Sequence, residues 1–160
     1  MTAAPRIGMV LSSGGARGVY AHTGFLQALA DLGIEIAAAA GCSAGAVVGG
    51  VVASGAGLDA WSATLAHLDS RRFWTPDPWP RLLWRLAVRR GRGYTGLSGT
   101  EAAVEFCRSQ LAAQRFEECR YPFHILAVSL GKGGKVLFST GELAPRMMAS
   151  ITRPIRAWYL

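Results

Sequence analysis

Ile34-Glu35-Ile36-Ala37-Ala38-Ala39-Ala40-Gly41-Cys42-Ser43-Ala44-Gly45-Ala46-Val47-Val48-Gly49-Gly50-Val51-Val52 contains the turn on which the fold reading rests. Ile34 to Ala40 reads as extended chain, and Gly41 breaks it with a sharp turn. After the turn Ala44, Val47, Val48, Val51 and Val52 are apolar on every side, the pattern of a helix buried within a core. The 23 residues from Ile36 to Leu58 carry no charge, which on length alone suits a membrane span. Gly41, Gly45, Gly49, Gly50, Gly55 and Gly57 break that stretch into a turn and a short helix, so the reading is a buried core.

Toward the N-terminus, Ile7 to Leu11 is an apolar run ended by Ser12, Ser13, Gly14 and Gly15, a buried strand followed by a glycine turn. From Gly18 onward His22, Phe25, Leu26, Leu29 and Leu32 recur at helical spacing, and Gly33 supplies a left-handed stop. Toward the C-terminus, Asp59 to Leu68 places Trp61, Leu65 and Leu68 on one helical face. A proline- and arginine-rich excursion follows, with a helix read at Leu82 to Arg89. Ser98 and Glu101 have capping-box spacing ahead of Val104, Cys107 and Leu111. Phe123 to Leu130 reads as a strand, Gly131, Gly133 and Gly134 as a turn, Val136 to Phe138 as its hairpin partner, and Leu143 to Ile151 as a helix. This order predicts an α/β domain, a mainly parallel sheet flanked by helices on both faces.

Two glycine turns carry candidate chemistry. Gly41-Cys42-Ser43-Ala44-Gly45 fits G-x-S-x-G, in which a serine sits on a strained strand-to-helix turn with its hydroxyl pushed out above the sheet. Gly41 and Gly45 are needed there because side chains would collide with neighbouring backbone, and the helix N-terminus presents N–H groups to developing negative charge. Cys42 is the competing nucleophile, but the elbow frame turns it back into the fold as a buried cysteine. Gly14-Gly15-Ala16-Arg17-Gly18, between strand and helix, is a loop of N–H donors suited to a phosphate or to the oxyanion of acyl transfer. Ser13 stands where a dinucleotide fingerprint wants glycine, and the Gly-Lys-Ser/Thr ending of a Walker loop is absent.

Composition bounds these readings. The 160 residues suit one domain, 51% hydrophobic and 17% charged, which excludes a disordered chain. Cys42, Cys107 and Cys119 are too few for a disulfide framework and have no zinc spacing, and Met1 to Pro5 lack a secretory pattern, so a cytoplasmic location is expected. The net charge is +7, and residues 71 to 92 hold seven Arg against Asp77 alone. Phe73, Trp74, Trp79 and Trp84 interleave with those arginines, which suits peripheral contact with an anionic membrane; a solvated insertion packed through its tryptophans is the plainer alternative.

Taken together, these stretches resemble the patatin-like phospholipase family. Ser13-Gly14-Gly15-Ala16-Arg17-Gly18 stands where that family has Gly-Gly-Gly-x-Arg/Lys-Gly, Val19 to Leu29 is similar to its first helix, and Gly41 to Gly45 follows at its spacing. Pro122 to Val128 is similar to a later core strand, and Ala149-Ser150 through Pro154 to a helix end with its proline. The resemblance implies Ser43 as nucleophile. It implies an oxyanion hole in Gly14, Gly15, Ala16, Arg17 and Gly18, with Arg17 steadying the loop. The substrates implied are lipid or phospholipid esters cleaved through an acyl-serine, with no metal, no organic cofactor and no nucleic acid. Ser13 replaces the first loop glycine. The family aspartate of Asp-Gly-Gly/Ala has no counterpart, because none of Asp31, Asp59, Asp69 and Asp77 is followed by glycine. The expectation is therefore one C-terminally incomplete domain over 1–160, with a basic aromatic insertion at about 71–94. None of His22, His67 and His124 stands in the context of a third catalytic member. A non-catalytic lipid- or membrane-surface module of the same fold is the alternative, and a phosphate-binding domain using Gly14 to Gly18 is a third reading.

Overall fold

The computed structural model describes residues 6–68, 101–129 and 131–152. The element order is β1 (Arg6–Leu11), α1 (Gly15–Asp31), β2 (Glu35–Gly41), α2 (Ala44–Ala53), α3 (Leu58–Ala66), α4 (Glu101–Gln110), a 3₁₀ turn (Phe116–Glu118), β3 (Phe123–Ser129), β4 (Gly134–Phe138) and α5 (Leu143–Ile151). The insertion at about 71–94, the helix read at Leu82 to Arg89 and the Ser98 half of the capping box lie outside the described residues.

The strands form one mixed sheet in the order β1-β2-β3-β4, with β1, β2 and β3 parallel and β4 antiparallel to β3. Leu11 pairs with Gly41, and Gly41 with Ile125, so the ends of β1 and β2 lie side by side next to the middle of β3. The three parallel strands step across the sheet in one direction, and right-handed crossovers then put the helices that follow β1 and β2 on the same face. Strand alternation agrees: Leu11, Phe123 and Ile125 are at most 3% exposed, whereas Val10 and Val128, on the other face, are 80% and 67% exposed. The architecture is thus the expected α/β one, a mainly parallel sheet flanked by helices. The sequence predicts helices on both faces, whereas the described ones gather on one face over one core, because the crossovers after β1 and β2 share a hand and a direction.

The uncharged stretch divides as its glycines require, into β2 and the ten-residue α2, and no described helix is long and apolar enough to cross a membrane. Every residue of α2 except Val52 is buried. It lies so close to the sheet that a Cβ on Gly49 would come within 2.7 Å of the Phe123 ring, and one on Gly50 within 3.0 Å of Met147 Sδ in α5. At the far end of α2, Ser54 Oγ donates to Val51 O and accepts from Ala112 N, which ties the chain after α4 to the same core.

Cys107, on the buried side of α4, has its thiol pushed up from 9.0 to about 11 by desolvation, since burial disfavours the thiolate. The unfolded chain ionises this thiol near 9.0, so its contribution to stability is whole below that pH and is lost as pH rises toward about 11. Tyr121, raised from 10.0 to about 12 by burial, adds to the loss at higher pH. Urea unfolding is expected to show stability falling above about pH 9, by at most about 1.4 kcal/mol per pH unit for one such group. Cys107→Ala should be less stable at neutral pH yet fall more shallowly, and parallel pH profiles would refute this assignment.

Candidate active site

The turn between β2 and α2 is built around one strained residue. Ser43 has φ 52° and ψ −119°, and it is the one non-glycine residue with positive φ among the described residues. L-residues avoid this region, at a cost of about 1–3 kcal/mol, so neighbouring structure must hold Ser43 there. Ser43 occupies the N-cap position of α2, yet its hydroxyl makes no capping bond. A capping serine normally sits in the β region with its oxygen on the helix amides, and Ser43 departs from that backbone conformation.

Its flanking residues supply the constraint. A Cβ on Gly41 would overlap the Gly45 carbonyl, and a Cβ on Gly45 would overlap the Leu11 carbonyl oxygen. Cys42 N donates to Leu11 O at 3.1 Å, which fixes the turn against the end of β1. Cys42 itself is half-buried, less enclosed than the buried cysteine expected from the motif.

The glycine loop closes over the same point. Gly14 approaches Gly18 so tightly that a Cβ would stand 2.5 Å from Gly18 Cα, and Gly15 follows with φ +57°. A Cβ on Gly18 would lie 3.1 Å from Ala44 Cβ, so the first turns of α1 and α2 touch. Two helix N-termini thereby meet beside Ser43, each leaving first-turn N–H groups without intrahelical acceptors and a partial positive charge. Gly18 N donates to Gly14 O at 2.9 Å, so its N–H is already engaged within the loop. Arg17 lies exposed in the first turn of α1.

Two contacts at this site carry no signal in the local sequence pattern. His22 Nε2 donates to Ser12 O at 2.8 Å, so the histidine braces the glycine loop from one turn up α1. Ser43 N donates to Ser150 Oγ at 2.8 Å, and Ser150 Oγ donates to Leu126 O at 2.7 Å. Ser150 lies 107 residues from Ser43 in the chain, and only the likeness of Ala149-Ser150 to a family helix end drew attention to it.

Among the described residues no Asp, Glu or His side chain bonds the Ser43 hydroxyl. Asp31 closes α1, roughly 24 Å from its start at 1.5 Å per residue, and there accepts from Gln27. Asp59 begins α3, His67 is exposed beyond it, and His124 begins β3.

The chain is similar to known proteins over most of its length. An uncharacterized NTE family protein of Mycobacterium tuberculosis is 34% identical over 153 residues, 96% of this chain and 39% of that protein. Lysophospholipase NTE1 of Cryptococcus neoformans is 56% identical over 48 residues, 30% of this chain and 3% of that protein. The crystal structure of full-length ExoU with SpcU, from the type III secretion system of Pseudomonas aeruginosa, shares the fold at TM-score 0.63 and 19% identity, covering 95% of this chain and 39% of that one. This chain thus spans well under half the length of the mycobacterial relative. The family model for the patatin-like phospholipase matches residues 9–156, nearly the whole described fold, and the chain belongs to that family.

Proposed function

We propose that this chain carries the nucleophile and oxyanion half of a serine acyl hydrolase acting on lipid or phospholipid esters. The observation that carries the reading is Ser43 itself, a serine held at positive φ with an uncapping hydroxyl between two helix N-termini. In the reaction, Ser43 Oγ bonds to the ester carbonyl carbon and the carbonyl oxygen takes the negative charge. The first-turn N–H groups of Gly15, Ala16 and Ala44 stabilise that charge, removal of one such donor typically costing 10²- to 10³-fold in rate. The tetrahedral species then breaks its bond to the alkoxy oxygen, which leaves as the alcohol with the proton that Ser43 gave up; water cleaves the acyl-serine, and its proton returns to Ser43 Oγ as the acid departs. This route uses no metal or organic cofactor. The proton of Ser43 needs a base, the part assigned in this family to an aspartate whose motif is absent from the 160 residues.

A fluorophosphonate probe is therefore expected to label Ser43 slowly, with mass mapping to the peptide that contains it. Turnover of a p-nitrophenyl ester by this chain should stay near background, because base-assisted proton transfer contributes typically 10²- to 10⁴-fold. Labelling at another residue, or none, would sink the assignment. The second reading, a non-catalytic lipid-surface module, is favoured by the absence of a described acid or base on Ser43. Both readings place the chain peripherally at a membrane through Arg71 to Arg92. Binding to anionic vesicles should fall steeply with salt, since exposed charge is screened beyond about 8 Å at physiological ionic strength. Equal binding to neutral and anionic vesicles would exclude that role.

A further inference from the structure

Cys42 N on Leu11 O anchors the strained turn on the side before Ser43, and the flanking glycines make room for it. Ser43 N, at the start of α2, has no acceptor within its own helix. Its acceptor comes instead from the last turn of α5, Ser150 Oγ at 2.8 Å. The Ser150 hydroxyl has one proton, and that proton goes to Leu126 O at 2.7 Å. Its lone pairs are then the part left for Ser43 N–H, so the chain of two hydrogen bonds runs in one direction. Leu126 stands where the sheet requires such a link, because the β2–β3 ladder ends at the pair Gly41 and Ile125 as β2 turns into the elbow.

We propose that Ser150 is a positioning residue that locks the backbone of Ser43 in the conformation from which its hydroxyl reacts. The proposal rests on the reading of Ser43 as nucleophile. It also refines the oxyanion hole: Ser43 N–H is committed to Ser150, so the α2 donor is Ala44 N–H. A purely structural role for Ser150 within α5 would lower stability without changing how fast folded molecules react at Ser43.

The test compares the full chain with Ser150→Ala and Ser150→Thr, reading two quantities in each folded sample. One is the saturating rate of fluorophosphonate labelling mapped to Ser43, and the other is amide hydrogen exchange at Ser43. Ser150→Ala is expected to slow labelling about tenfold at unchanged half-saturating probe, the size of one lost hydrogen bond in the reactive geometry. Exchange at Ser43 should quicken about tenfold relative to Val48 and Val51, deep in α2. Ser150→Thr, which keeps the hydroxyl, should restore both. Unchanged labelling and exchange in Ser150→Ala overturn the proposal. If the unmodified protein is not labelled at Ser43, the nucleophile reading fails, and the exchange measurement still decides whether Ser150 holds the turn. If Ser150→Ala does not fold, the unmodified protein decides: Ser43 N–H should exchange at least about tenfold more slowly than Ala16 N–H in the first turn of α1, and equal rates overturn the proposal.

Discussion

Ser43→Ala should abolish fluorophosphonate labelling while leaving the fold in place, and Ser43→Gly should abolish it while making the protein more stable. The two variants separate chemistry from strain. Alanine removes the hydroxyl but keeps a Cβ at φ 52°, so the unfavourable backbone remains and stability should stay within about 0.5 kcal/mol of the parent. Glycine adopts that region freely, so the strain is released, and a gain of about 1 kcal/mol in urea unfolding is expected after glycine's extra chain entropy is subtracted. A stabilised, unreactive glycine variant is the signature of a residue held in strain for its reactivity. If Ser43→Gly is destabilised instead, the turn is not strained as described; if Ser43→Ala still labels at the same peptide, Cys42 becomes the nucleophile to examine.

Gly45→Ala should have the largest effect on stability. The added Cβ would overlap the Leu11 carbonyl oxygen and stand 2.5 Å from its carbon and 2.6 Å from Leu11 Cβ. These atoms belong to the end of β1, which is paired through Leu11 to Gly41, so neither side of the contact can move without opening the sheet. Overpacking a core costs typically 1–3 kcal/mol where side chains can give way, and here backbone must move, so about 3 kcal/mol or more is expected. Set against a typical domain stability of about 5–15 kcal/mol, that loss leaves a substantially unfolded or poorly soluble protein. Gly24→Ala is the control: Gly24 lies exposed within α1 and a Cβ there meets nothing within 4 Å, so alanine should stabilise by about 0.5–1 kcal/mol. Similar cooperative melting of the parent and Gly45→Ala would show that α2 does not pack against Leu11 as described.

Hydrophobic spacing and turn residues marked β1, β2, α1, the buried α2 and the β3–β4 hairpin, because each has a local period or a glycine stop that its own residues impose. The helix at Leu143 was legible for the same reason, with Leu143 and Met147 one turn apart and both wholly buried. Gly41-Cys42-Ser43-Ala44-Gly45 announced the elbow through its glycines, since close backbone approach is a requirement that composition itself records. The partial exposure of Cys42 and the commitment of Gly18 N–H to Gly14 O were not legible, because both depend on how the loop folds against α2.

The sequence by itself determined the α/β order of elements, the family and the candidate nucleophile, each resting on residues close together in the chain. Tertiary structure decided what surrounds that nucleophile. Leu11 and Gly18 meet the neighbours of Ser43 from β1 and α1, and Ser150, held by Leu126 of β3, reaches Ser43 itself from α5 across 107 residues; no local pattern encodes such meetings. They arise because parallel pairing sets the ends of β1 and β2 beside β3, and because burial of α2 then draws the first turn of α1 and the last turn of α5 onto the same point. Local chemistry put a serine at a strained turn; packing supplied the bonds and contacts that keep it there.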